Sequence, residues 1–242
     1  MESQYTSLAS TITQRASSHS KPRYLVAIAG APGSGKTTLA TAVGAQINRV
    51  RQIAAEKGGA SESIPKTMVL SMDGFHLPRS ALDALPDGER EQAYVRRGAP
   101  WTFDVRAFVA FMKRLREWAD GGLPSGEKLY APTFDHATKD PVAAGVAVDG
   151  DVGIVIVEGN YILLDEPEWR DIGQLVDYRV FVDVDLQEAR ERLARRHVEA
   201  GIEGCLEDGF ARVDKNDYLN GVMVKEKLGK VELVVKSLRE TM

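Results

Sequence analysis

The eight residues Gly30-Ala31-Pro32-Gly33-Ser34-Gly35-Lys36-Thr37 constrain this chain more than any other segment. They spell G-x-x-x-x-G-K-T, and an apolar run, Tyr24-Leu25-Val26-Ala27-Ile28-Ala29, leads into them. A helix-compatible stretch from Thr38 to about Asn48 follows. Strand, glycine loop and helix in that order is the setting a phosphate-binding P-loop requires. Successive backbone N–H groups of such a loop point inward, and the helix N-terminus adds partial positive charge. Lys36 is expected to reach the β- and γ-phosphates, and the Thr37 hydroxyl to take a Mg²⁺ position. Thr38 completes the expected nucleotide-binding set. The competing reading is a plain glycine-rich turn between strand and helix. The segment predicts binding of a nucleoside triphosphate and leaves its use to the rest of the chain.

The 242 residues suffice for one α/β core, with or without an inserted subregion. A net charge of −4 offers no face-wide basic excess, so nucleic acid is not an expected partner. It leaves room for a local basic pocket around a small anion. Cys205 is the only cysteine, which excludes an intrachain disulfide and suits a reducing compartment. No apolar run approaches a membrane span. The N-terminus carries Glu2 and Arg15 without an apolar core, unlike a secretory signal. Its Ser and Thr content is shared with transit peptides, but Leu8 and Ile12 fit an amphipathic leading helix as well. The expectation is a cytoplasmic protein away from membranes, monomeric or homodimeric.

Short, continuous runs rich in Val, Ile and Leu predict buried strands at residues 24–29, 67–71, 153–157, 178–183 and 231–235. Continuous apolar runs, instead of alternation, suit a parallel sheet covered on both faces. Helical patterns separate them at residues 36–49, 105–118, 186–200 and 207–219. The predicted fold is α/β, a doubly wound, mainly parallel five-stranded sheet. Residues 57–65 and 120–126, small, polar and glycine-bearing, read as exposed loops.

Ligands of open α/β sheets gather beyond the carboxyl ends of the strands. Gly30 follows the first strand, Asp73 the second, Glu158 the third and Asp185 the fourth. Asp73, in MDGFHLP, can orient or deprotonate an acceptor hydroxyl or hold Mg²⁺ through water. The other reading is an Asx turn with Gly74. Glu158 closes Ile154-Val155-Ile156-Val157 as a Walker-B-like acid that ligates Mg²⁺, or else as a strand-end cap.

Arg192, Arg195 and Arg196 share one side of a helix. They read as a lid that neutralises a transferring phosphoryl group, or as Glu188–Arg192 and Glu191–Arg195 surface pairs. Two loop-like segments, residues 96–104 and 130–141, are dense in polar and aromatic groups suited to a small polar acceptor. Arg97 could meet a carboxylate or phosphate there, and Asp135 and His136 could bond hydroxyls. Asp104 is equally a good N-cap, and loop aromatics such as Tyr130 and Phe134 often fill core edges.

With these pieces together, the chain resembles the uridine kinase, phosphoribulokinase and bacterial-type pantothenate kinase superfamily of P-loop kinases. The likeness runs from about residue 24 to about 235 through GAPGSGKT, MDGFHLP, RRGAPWTFD, YAPTFDHATKDP, VEGNYILL and RERLARRH. The resemblance implies a single P-loop kinase domain over residues 1–242, using ATP and Mg²⁺. Within it, residues 1–22 are a leader helix, 74–150 acceptor-binding insertions and 185–205 a lid. It implies Asp73 as base, with Lys36, Arg192 and Arg196 at the phosphates, and Thr37, Glu158 and Asp73 around Mg²⁺. His76, Arg97, Asp104, Tyr130, Phe134, Asp135, His136, Glu158 and Tyr161 are the implied acceptor residues beside Asp73. Asn216, Asp217 and Asn220 match a polar cluster downstream of the lid. The expected reaction is phosphoryl transfer to a hydroxyl of a small metabolite, nucleoside- or sugar-like. Asp73-Gly74-Phe75-His76 replaces the D-S-F-Y of uridine kinases and keeps a pantothenate- or glycerate-type acid open as acceptor. A regulatory NTPase is the remaining alternative, although Asp214-Lys215-Asn216-Asp217 has the wrong order for a guanine-binding element.

Overall fold

The computed structural model of the chain describes residues 2–57, 64–123 and 127–237. Helix α1 (Glu2–Ser17) precedes strand β1 (Tyr24–Gly30), and the P-loop then leads into α2 (Lys36–Glu56). Strand β2 (Lys66–Ser71) runs into a 3₁₀ turn at Met72–Phe75, followed by short helices α3 (Arg79–Asp83) and α4 (Asp87–Val95). Helix α5 (Val105–Ala119) is followed by strands β3 (Leu129–Asp135), β4 (Asp140–Val148) and β5 (Val152–Gly159). The last part holds β6 (Tyr178–Asp183), α6 (Leu186–Glu199), α7 (Leu206–Lys215), α8 (Asp217–Glu226) and β7 (Leu233–Lys236).

The main sheet has the order β2-β5-β1-β6-β7, and every pairing in it is parallel. This is the expected doubly wound α/β fold. Its central strand β1 is buried at every residue, and the strand's period of two splits it between two cores. Val26 and Ile28 join Leu39, Val43 and Ile47 of α2 and Leu8 and Ile12 of α1 on one face. Leu25, Ala27 and Ala29 join Phe108, Met112 and Leu115 of α5 on the other. Each of these buried side chains other than the alanines contributes about 1.5–3 kcal/mol. No helix among the described residues is long and apolar enough to cross a membrane.

Two sequence expectations are corrected. Residues 130–141 are not loop: they form β3 and open β4, an antiparallel two-stranded sheet with a register shift between Ala131 and Thr133. Residues 207–219 are not one helix. The chain breaks at Asn216 (φ −138, ψ −73), where α7 ends and α8 begins. Of the two expected loops, residues 58–63 and 124–126 lie outside the described residues.

The β3–β4 hairpin is seated on the 3₁₀ turn beyond β2. A Cβ on Gly74 would stand 2.2 Å from the Pro132 carbonyl oxygen, so only glycine permits this approach. The Arg79 N–H adds a 2.7 Å bond to Asp140 Oδ1. The hairpin thereby faces the carboxyl edge of the main sheet at β2.

Candidate active site

The P-loop turns out of β1 at Gly30 and enters α2 at Lys36. Gly33 holds φ +77, and a Cβ there would meet the Ala189 carbonyl oxygen of α6 at 2.9 Å. The loop therefore lies directly against the start of α6. The first N–H groups of α2 have no intrahelical acceptor and are the groups a phosphate would meet.

Glu158, next to last in β5, is in register with Ile28 of β1 and Ser71 of β2. It is 2% exposed, and its Oε2 accepts from Thr37 Oγ1 at 3.1 Å. Burial pushes its carboxyl above the usual range, and the negative charge of Asp73 adds to the effect. Lys36 and the Ser71 and Thr37 hydroxyls oppose it. Asp73 sits on the 3₁₀ turn two positions past β2, its N–H held by Ser71 Oγ at 3.2 Å. Lys36, Thr37, Asp73 and Glu158 thus meet at one corner where three strands end.

No group of three or more His, Cys, Asp or Glu gathers among the described residues. The corner's oxygen donors are two hydroxyls, of Thr37 and Ser71, and two carboxylates. Such a set does not make a complete protein cage, and it fits Mg²⁺ that keeps water and phosphate oxygens as its remaining ligands. The Thr37–Glu158 contact is the observation behind that fit.

On the hairpin side, the His76 ring stacks against Phe103 at 3.9 Å and Phe134 at 4.9 Å. Its Nδ1 lies 2.8 Å from the Asp73 carbonyl. Burial holds the imidazole below its ordinary value; Asp73 opposes the shift, and Arg97 and His136 reinforce it. Arg97 donates to the Leu77 carbonyl at 3.1 Å, lies 3.6 Å from Asp140 and covers the Phe134 ring at 5.8 Å. Its Nε is buried with no hydrogen-bond partner. His136 is exposed, its ring 5.4 Å from Phe134.

His76, Arg97, Phe134 and His136 are therefore gathered beside Asp73. The other expected acceptor residues are placed differently. Asp104 accepts from the Ala107 N–H at 2.9 Å as the N-cap of α5. Asp135 accepts from the Ala137 N–H at 2.8 Å in the hairpin turn, and that bond, with one to Thr138, holds its carboxyl low. Tyr130 is exposed on the hairpin. Tyr161 is fully buried, which raises its phenol, and its hydroxyl donates to the Gly98 carbonyl at 2.6 Å. It touches the segment that carries Arg97.

Arg192 forms the Glu188 pair of one sequence reading and also reaches the P-loop. Its guanidinium bonds Glu188 at 2.6 Å and Ser237 Oγ at 2.7 Å, and also lies 3.4 Å from the Gly33 carbonyl. Ser237 Oγ in turn donates to the Ser34 carbonyl at 2.8 Å. Two P-loop carbonyls are thus held from behind, by α6 and by the segment after β7. Arg196 is exposed.

Ser237 is absent from the sequence expectations because it lies 203 positions from Ser34 and has no local motif. Arg96 was legible only as half of an arginine doublet. It bonds Asn216 Oδ1 and Asn220 Oδ1, both at 3.2 Å, while Asn216 Nδ2 donates to the Arg97 carbonyl at 2.7 Å. The break between α7 and α8 thereby anchors the Arg97 segment.

Sheet order, phosphate loop and paired carboxylates at adjoining strand ends together define a P-loop kinase. The model of the Phosphoribulokinase / Uridine kinase family matches residues 25–242, and the chain belongs to that family. It is 36% identical over 217 residues to C227.14 of Schizosaccharomyces pombe, named as a candidate uridine kinase, covering 90% of this chain and 84% of that one. It is 41% identical over 170 residues to the ATP-dependent kinase-like protein notR' of Aspergillus versicolor, covering 70% of this chain and 96% of that one. Among solved structures, a candidate fructose transport system kinase from Silicibacter sp. TM1040 superposes with a TM-score of 0.75 at 28% identity, covering 96% of this chain and 98% of that one.

Proposed function

We propose that the chain moves the γ-phosphoryl group of Mg·ATP to a hydroxyl of a small polar metabolite, nucleoside- or sugar-like. One observation carries this reading: Thr37 and Glu158 meet at 3.1 Å at the corner shared with Lys36 and Asp73. The loop amides and Lys36 hold the triphosphate so that its terminal phosphorus faces Asp73. Asp73 takes the proton of the acceptor hydroxyl. The acceptor oxygen bonds to the γ-phosphorus while the bond to the β,γ-bridging oxygen breaks, and ADP leaves with that electron pair. Thr37 and Glu158 would hold Mg²⁺, which when bound would supply positive charge to the phosphate end of the nucleotide. Arg192, with Arg196 farther along α6, adds positive charge from the lid side. In this reading residues 74–150 bind the acceptor and residues 185–205 cover the donor, within one domain.

A second reading of the acceptor, a small carboxylic acid, is favoured by the buried and unbonded Nε of Arg97. The test is a mass-spectrometric screen of nucleosides, sugars, glycerate and pantothenate with Mg·ATP. A phosphorylated product identifies the acceptor. ATP hydrolysis that no metabolite stimulates and a protein partner controls overturns the kinase reading in favour of a regulatory NTPase. With an acidic acceptor, Arg97→Ala is expected to raise the acceptor KM about 10- to 100-fold and leave the ATP KM unchanged.

A further inference from the structure

A cavity of about 530 Å³ adjoins the P-loop, within the roughly 300–1,000 Å³ range of small-molecule sites. None of Thr37, Asp73 or Glu158 lines it. Gly33 and Thr38 form one wall, Arg192 and Arg196 a second, and Lys236 a third. The fourth wall is Gln4 and Tyr5, both from α1. That helix lies wholly before residue 25, where the match to the family begins. It is nevertheless built into the core: Leu8 and Ile12 pack with Leu39 and Val43 of α2, and Gln46 Nε2 donates to Thr6 Oγ1 at 2.9 Å.

A nucleotide whose phosphates lie on the loop amides must send its ribose and base off one side of the loop. The side toward Glu158 and Asp73 belongs to phosphoryl transfer. The other side is this cavity, which begins at the same loop residues. Its walls suit a flat heteroaromatic ring. A tyrosine ring stacks on base faces, and the Gln4 amide offers a donor and an acceptor to a base edge. We infer that α1 belongs to the donor site, with Tyr5 and Gln4 forming the wall against which the base of the nucleotide rests. This inference depends on the proposed use of ATP at the P-loop and extends it to a helix that precedes residue 25.

The test is calorimetric binding of ATP and of inorganic tripolyphosphate to the full chain, since tripolyphosphate keeps the phosphates and lacks the base. Tyr5→Ala is expected to weaken ATP about tenfold and to leave tripolyphosphate within about twofold. Tyr5→Phe should stay near wild type, and Gln4→Ala, which leaves the α1–α2 core intact, should weaken ATP about threefold. If Tyr5→Ala fails to fold, Tyr5→Leu keeps the apolar bulk without the aromatic face and carries the same expectation. Unchanged ATP affinity in the folded Tyr5 and Gln4 variants overturns the inference alone. Equal weakening of both ligands does the same, because it marks α1 as a support of the loop and not a wall for the base. A wild-type chain that binds neither ligand overturns the donor reading and this inference with it.

Discussion

The P-loop stands between a strand buried at every residue and a helix of 21 residues, whereas the hairpin opposite it pairs β3 with a β4 exposed from Val142 to Gly145. The P-loop side, the proposed donor wall, is made by the centre of the sheet. Glu158 cannot shift without moving β5, which is hydrogen-bonded on both edges. The hairpin, the proposed acceptor wall, joins the rest through the Gly74–Pro132 approach, the Arg79 N–H bond to Asp140 and the burial of Leu129, Ala131 and Val148 in the core around α5. It also carries local backbone cost, since Lys139 and Ala144 hold φ of 59 and 51, a conformation costing about 1–2 kcal/mol for a residue with a Cβ. The proposed phosphate site is thus tied to the stability of the whole sheet, and within the hairpin it is the exposed stretch of β4 from Val142 to Gly145 that can vary without disturbing the core.

Substitutions on the two walls should separate accordingly. The largest effect is expected at their meeting point: Asp73→Asn should lower kcat about 10³-fold and leave the ATP Kd within about twofold. Near-wild-type turnover with a verified acceptor would break the comparison by removing Asp73 from the chemistry.

Glu158→Gln should cost about 100-fold or more in kcat and yet stabilise the fold. The folded carboxyl is raised by burial. Its contribution to stability is therefore present below the ordinary glutamate pKa and is lost as pH rises through the raised value. At pH 7 the variant should melt about 2–4 °C higher, and the gain should vanish toward about pH 4. A melting temperature that falls at neutral pH would show that Lys36 and the two hydroxyls outweigh burial.

On the hairpin, Gly74→Ala forces the new Cβ against the Pro132 carbonyl. The acceptor KM should rise about tenfold while ATP affinity holds, at about 1–3 kcal/mol of stability. An equal loss for both substrates would mean that the walls move together. The smallest effect is expected from Asp104→Ala, which removes a cap worth about 1 kcal/mol and should leave the acceptor KM unchanged. A raised KM there would return Asp104 to the acceptor site.

The same contrast explains what was legible in the sequence. Gly30 to Thr37, Asp73 and Glu158 were readable because each follows a continuous apolar strand, and the strand-end rule places them together. The hairpin was not. Pro132 interrupts one strand, Ala143-Ala144-Gly145 dilutes the other, and the register shift spoils the period of two. Asp104 and Asp135 were ambiguous because capping and ligand binding ask for the same side chain. The Ser237–Ser34 bond and the Arg96–Asn216–Asn220 network link distant segments, which local pattern does not register.

The clamp from Ser237 onto the P-loop bears on when, during synthesis, the protein becomes competent. The glycine loop is synthesised before β5, β6 and Ser237. Its strand has no sheet partner until β5 and β6 are made, and Ser34 has no support from Ser237 until the segment after β7 is made. Contacts so distant in sequence form late and slowly. A nascent chain that stops short of Ser237 therefore carries the glycine loop without the bonds that brace it in the folded structure.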